Sequence, residues 1–156
     1  MIKKQYLLTL VLYILVCLSF QSCKKDEVTA PVTTVPTSTS TFTWKENAGA
    51  LITADSAYWT TWSTGTGIRA YKGGMQNYFE INWASGNNTS IGAKALVTNN
   101  ADFTFLKGTD SYDISSNQNL NITAFADNKL SGNFTFAVKG GQITSIQATF
   151  TDLPKK

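Results

Sequence analysis

The chain has 156 residues, with 13 basic and 10 acidic side chains, no histidine, two cysteines and three prolines. That length suits one domain, and the lack of histidine excludes a Ser-His-Asp or Cys-His relay and any His-ligated metal. Setting aside a leader that carries Lys3 and Lys4 and no acid leaves 13 − 2 = 11 basic against 10 acidic groups, about +1, which is no electrostatic footprint for nucleic acid.

The leader is residues 1–22. Lys3 and Lys4 form a short positive start, and Tyr6 to Phe20 is an apolar run of 15 residues. A bilayer span needs about 20, so the run has the length of an export signal. Ser22 then precedes Cys23. This junction resembles the lipobox of Bacteroidota lipoproteins, in which Ser-Cys-Lys-Lys-Asp is familiar. The resemblance implies cleavage between Ser22 and Cys23, with Cys23 acylated on its sulfur and on its new amine. Acyl chains contribute about 0.8 kcal/mol per buried CH₂, so three of them anchor a protein essentially permanently. The implied partner is a membrane and the implied location the outer membrane, on either its periplasmic or its outer side. The other readings are a secretory signal with an incidental cysteine, or an uncleaved N-terminal helix. With the leader removed, Cys23 is the one cysteine left, so neither an internal disulfide nor a Cys-based zinc site is available.

Residues 23–41 form a tether. Lys24 to Glu27 are charged, and 28–41 (VTAPVTTVPTSTST) hold two of the three prolines among Thr and Ser. Such a stretch buries too little apolar surface to order itself, and it favours extended backbone. From Lys24 to Thr41 it reaches up to about 60 Å when extended.

Residues 42–156 carry all four tryptophans and a different pattern, with a period of two. Phe42 and Trp44 open it. Phe79, Ile81 and Trp83 alternate with Tyr78, Glu80 and Asn82. Phe103 and Phe105 flank Thr104. Leu120, Ile122 and Ala124 follow, then Phe134, Phe136 and Val138, then Ile146, Ala148 and Phe150. Alternation of this kind marks half-buried strands. The stretch 50–57 also favours strand over a helical turn. The phase slips between Ile143 and Ile146, which predicts a bulge. Turn signals fall at Thr64-Gly65-Thr66-Gly67, Gly73-Gly74, Gly86-Asn87-Asn88, Asn99-Asn100 and Ala126-Asp127-Asn128. Gly140-Gly141 predicts a tight hairpin. The expected fold is all-β: an antiparallel sandwich or flattened barrel of about eight or nine strands.

The C-terminal half, with Ile122, Thr123, Asp127, Leu130, Ser131, Gly132, Phe134, Phe136, Ile143, Thr144 and Phe150, resembles the recurring phrase "I-T-x-x-D…I-S-G-T-F-S-F…I-T-x-G-x-F". That phrase belongs to short Bacteroidota lipoproteins grouped as a domain of unknown function. The opening from Phe42 to Ala57 is similar to that family's N-terminal phrase. Asp55 and Ser56 match, while Asn47-Ala48-Gly49 stands where the family has Asn-Gly. The resemblance implies a β domain on a lipid anchor and assigns no activity.

Five groups of residues are candidates for chemistry. Tyr58, Trp59 and Trp62 form the densest aromatic cluster, and aromatic faces beside Thr and Ser can stack on sugar rings. Trp59 and Trp62 are three apart, so on a strand they face opposite sides and at least one belongs to the core. Glu80 is an acid centred in a strand, but a glycosidase needs two facing carboxylates, and Glu80 reads as a solvated face residue. Asp102, Asp110 and Asp113 lack a calcium-loop spacing and read as turn residues. Arg69 and Lys72 are too few for a phosphate cradle. Asp55-Ser56-Ala57 resembles the O-glycosylation acceptor of Bacteroidota, with Ser56 as the acceptor. No catalytic residue, metal site or cofactor is expected. The chain reads as a non-catalytic binding or scaffolding lipoprotein whose partner is a glycan or an envelope protein. The alternatives are a carbohydrate-binding accessory protein and an inhibitor or immunity protein acting on a cell-wall enzyme.

Overall fold

The computed structural model describes residues 39–62, 65–84, 89–98 and 100–156. The expected leader, Cys23, most of the tether and the expected turns at Gly86-Asn87-Asn88 and Asn99 lie outside the described residues. The described chain is all-β, as the alternation predicts. Its strands are β1 (Thr41–Glu46), β2 (Ile52–Thr53), β3 (Ser56–Trp62), β4 (Gly65–Lys72), β5 (Asn77–Ala84), β6 (Gly92–Leu96), β7 (Phe103–Lys107), β8 (Asp110–Ile114), β9 (Gln118–Ala126), β10 (Lys129–Lys139) and β11 (Ser145–Pro154).

Neighbouring strands are antiparallel, and nine of them follow the order β2-β1-β11-β10-β8-β7-β5-β4-β3 in one curled sheet. β10 is the corner. Its first residues, Lys129–Asn133, pair with β9, while Val138 and Lys139 pair with β8 on the same side. The Gln118 side chain bridges the gap between those two neighbours. It accepts from the Ala137 amide and donates to the Ala137 carbonyl, both at 2.8 Å, which pairs the amide and joins Ser115, whose amide donates to the same carbonyl at 2.9 Å. β6 extends the β9 side.

The core lies inside this curl. Phe42 and Trp44 of β1 reach Phe79 of β5, with ring centroids at 5.2 and 5.1 Å. Phe103 of β7 meets Phe136 of β10 edge-on at 5.2 Å. The two walls are thus joined by aromatic pairs, which add specific geometry to a large buried area. On β10 the inward set is Leu130, Gly132, Phe134, Phe136 and Val138, in strict alternation.

Several local expectations change. Ile143 is not in a bulged strand. It is buried in the five-residue connection Gly140–Thr144, which replaces the expected tight hairpin between β10 and β11. Asn47 holds that connection closed: its Oδ1 accepts from the amides of Thr144 and Ser145, at 3.0 and 3.2 Å. A bulge lies instead where Thr151 and Asp152 of β11 oppose the lone Ser131 of β10. Asp152 has φ 51° there, and its amide donates to Ser131 Oγ at 2.8 Å. β9 also slips register beside Ser131 and Gly132, which leaves Ala124 exposed instead of inward. The turn at Asp127-Asn128 forms as expected. Both residues have positive φ, 51° and 57°, as a two-residue hairpin with the sheet's twist requires.

Thr66 of β4 is fully buried on the core side, and its Oγ1 has no hydrogen-bond partner. A buried unpaired hydroxyl costs about 1–3 kcal/mol, and an apolar group of the same shape avoids that cost. Thr66→Val is therefore expected to raise the urea midpoint, by about 1 kcal/mol at constant slope. A lowered midpoint would show that the hydroxyl has a partner in solution.

Candidate functional site

Alternation on β3, β4 and β5 sets one side chain in two outward. On β4 the outward positions are Gly65, Gly67, Arg69 and Tyr71. Register places Trp62 opposite Gly65, Tyr58 opposite Arg69, and Ser56 opposite Tyr71. On the other flank, Asn82 lies opposite Gly67, Glu80 opposite Arg69, and Tyr78 opposite Tyr71. The expected turn at Thr64–Gly67 is thus corrected, because Gly65 and Gly67 sit inside a strand.

The two glycines carry the Trp62 indole. A Cβ on Gly65 would lie 3.5 Å from Trp62 Nε1, and one on Gly67 would lie 2.6 Å from its Cη2. Both glycines are buried although they face outward. The indole therefore lies over β4, with Nε1 toward Gly65 and Cη2 toward Gly67. The Arg69 guanidinium sits against the same ring, 5.1 Å from its centroid, a cation–π arrangement. Trp62 is still 36% exposed.

Arg69 is fixed by its cross-strand neighbours. Nη2 pairs with Glu80 Oε1 at 2.8 Å, and Nη1 donates to Asn82 Oδ1 at 3.1 Å. Glu80 also accepts from Tyr78 at 2.6 Å and from Asn82 Nδ2 at 3.2 Å. Donors therefore occupy both carboxylate oxygens, so Glu80 is a partnered residue of the face. The tyrosines continue the network. Tyr71 stacks near Tyr78, with centroids at 5.1 Å, and the Tyr58 and Tyr71 hydroxyls are 3.3 Å apart. Burial, with the bond to Tyr58, pushes the Tyr71 phenol up to about 12. Burial and Glu80 push Tyr78 higher still. Both hydroxyls therefore stay protonated at neutral pH and can donate as well as accept.

The three aromatic candidates separate. Tyr58 and Trp62 share this outer face. Trp59 is corrected: it points to the core side, is 2% exposed, and donates from Nε1 to the Asn128 carbonyl at 3.0 Å. Phe125 packs edge-on against its ring, so Trp59 offers no stacking surface. Ser56 is exposed at the start of β3. The neighbouring Asp55 carboxylate accepts from the Gly73 amide at 2.8 Å. That bond, helped by the Lys72 charge, holds it below the usual carboxylate range. Cys23 lies outside the described residues.

Asp102 and Asp113 spend oxygens on backbone amides, those of Val97 and Ile114. Among the described residues no three of His, Cys, Asp and Glu gather as metal ligands would. Arg69, Gly65 and Gly67 are the positions of this face that sequence reasoning did not place there. The signal for them was the outward period of two on β4, which the turn assignment at Thr64–Gly67 concealed. Comparison with protein-family models, with curated proteins and with solved structures finds no match to this chain.

Proposed function

We propose that the chain is a non-catalytic, lipid-anchored binding protein of the outer membrane, and that it binds through the outer face of β3, β4 and β5. The observation that carries this reading is the Trp62 indole, seated over Gly65 and Gly67 beside Arg69 and still 36% exposed. A large aromatic exposed in that way does not serve the core, and exposed apolar surface rimmed by polar groups marks interaction sites. The supporting groups are already ordered by Arg69, Glu80 and Asn82, so little entropy is lost when a ligand arrives. The absence of histidine and the filled hydrogen-bonding of Glu80 support a binding role over a catalytic one.

Two measurements test the two halves. Intact mass from the native host is expected to show loss of residues 1–22 and acylation of Cys23, with any added hexose mass reporting on Ser56. An unmodified Cys23 sinks the anchor. Envelope extract passed over immobilised chain is expected to leave material that Trp62→Ala, with an unchanged melting temperature, fails to retain. Equal retention by both proteins removes the binding face.

A further inference from the structure

Resting on that binding face, we infer that its occupant is an uncharged, hydroxyl-rich chain of pyranose sugars. Four features of the face converge on this class. Trp62 is 36% exposed, and an apolar indole surface matches the C–H face of a pyranose ring. The outward positions of β4 under the indole are glycines.

Charge is the second feature. A guanidinium recognises a carboxylate or phosphate through an open fork of donors. Here both terminal nitrogens of the fork are engaged, one on Glu80 and the other on Asn82. The Arg69 charge is balanced by Glu80 within the face, which leaves no uncompensated cation beneath Trp62 for an acidic polymer. Lys156 borders the Tyr58 end, its ammonium 4.7 Å over that ring, so salt dependence belongs in the test.

The hydroxyls are the third feature. Tyr58 and Tyr71 present two phenols 3.3 Å apart, each able to donate and to accept, which is the pairing that sugar hydroxyls offer in return. The fourth feature is the backbone. β4 is paired along its length with β3 and β5, and β5 is paired with β7. β3 is the end strand of the sheet, and its outer edge is met at Trp59 by Lys155 and Lys156, so an extended peptide finds no free edge at the middle of the face.

The test uses the full chain in detergent, titrated calorimetrically and by indole fluorescence. The probes are neutral hexasaccharides of glucose, mannose, galactose and xylose, beside oligogalacturonate as the anionic control. At least one neutral sugar is expected to bind, with affinity steady across about a tenfold range of salt. Trp62→Ala is expected to weaken it by at least about tenfold, while Trp62→Phe recovers part of the loss. Glu80→Gln keeps a hydrogen-bonding group but leaves the Arg69 charge unbalanced, and is expected to gain affinity for oligogalacturonate. A wild-type chain that prefers oligogalacturonate in a salt-dependent way overturns the inference. So does binding indifferent to Trp62, or an unchanged preference in Glu80→Gln. If no neutral sugar binds, yet envelope material is still retained through Trp62, the sugar class fails and the binding face survives. If neither is seen, both fall.

Discussion

Phe79→Ala is expected to lower stability by about 3–5 kcal/mol, the range for removing a fully buried phenylalanine. Phe79 is fully buried and sits where the two walls of the curl meet. It stacks on Phe105 at 4.3 Å within its own wall and reaches Phe42 and Trp44 of the opposite wall. Each of those rings would lose a partner, and the surrounding strands are tied by ladders on both sides and cannot collapse into the gap. A domain of this size is stable by roughly 5–15 kcal/mol, so the loss is a large share of the whole. Urea unfolding of the variant should show a much lower midpoint with a similar slope. A loss below about 1 kcal/mol would mean that the walls are not packed through this ring.

Gly132→Ala is expected to cost about 3 kcal/mol, at the upper end of overpacking, although it adds only one methyl group. Gly132 faces inward on β10 at the point where β9, β10 and β11 are all paired and both neighbours are out of regular register. A Cβ there would run into the Asn121 carbonyl oxygen and the Phe150 ring. Neither can yield cheaply. The carbonyl belongs to a paired backbone, and Phe150 stacks on Phe42 within a core that has no slack. By contrast, Gly74 has open space around its missing Cβ, and its φ of 66° limits the cost of Gly74→Ala to backbone strain, about 1 kcal/mol. Melting curves of the two variants, compared side by side, separate steric from conformational need. Equal losses would refute the crowding at Gly132.

Much of the fold was legible because alternation is a local property. Phe134, Phe136 and Val138 must point one way and Thr135 and Ala137 the other whatever strand lies beside them. The same rule told Trp59 and Trp62 apart without saying which was buried. That choice depends on which side of β3 is covered, and the core that covers it comes from β1, β5, β10 and other strands distant in sequence. Asn47 likewise gave no sign that it would clamp a connection 97 residues away.

The amino-acid sequence by itself determined the strand class, most of the inward set, and the exclusion of histidine chemistry, since composition and a period of two need no partner to be read. Only the tertiary structure decided the candidate site. Arg69 and Glu80 meet because β4 and β5 pair in one register, and a slip of one residue would place them on opposite sides of the sheet. Gly65 and Gly67 become a bed for Trp62 only once β3 lies against β4. Pairing across strands is a non-local choice made by the whole sheet, and there the face acquires its Arg69–Glu80 pair and its glycine-seated indole.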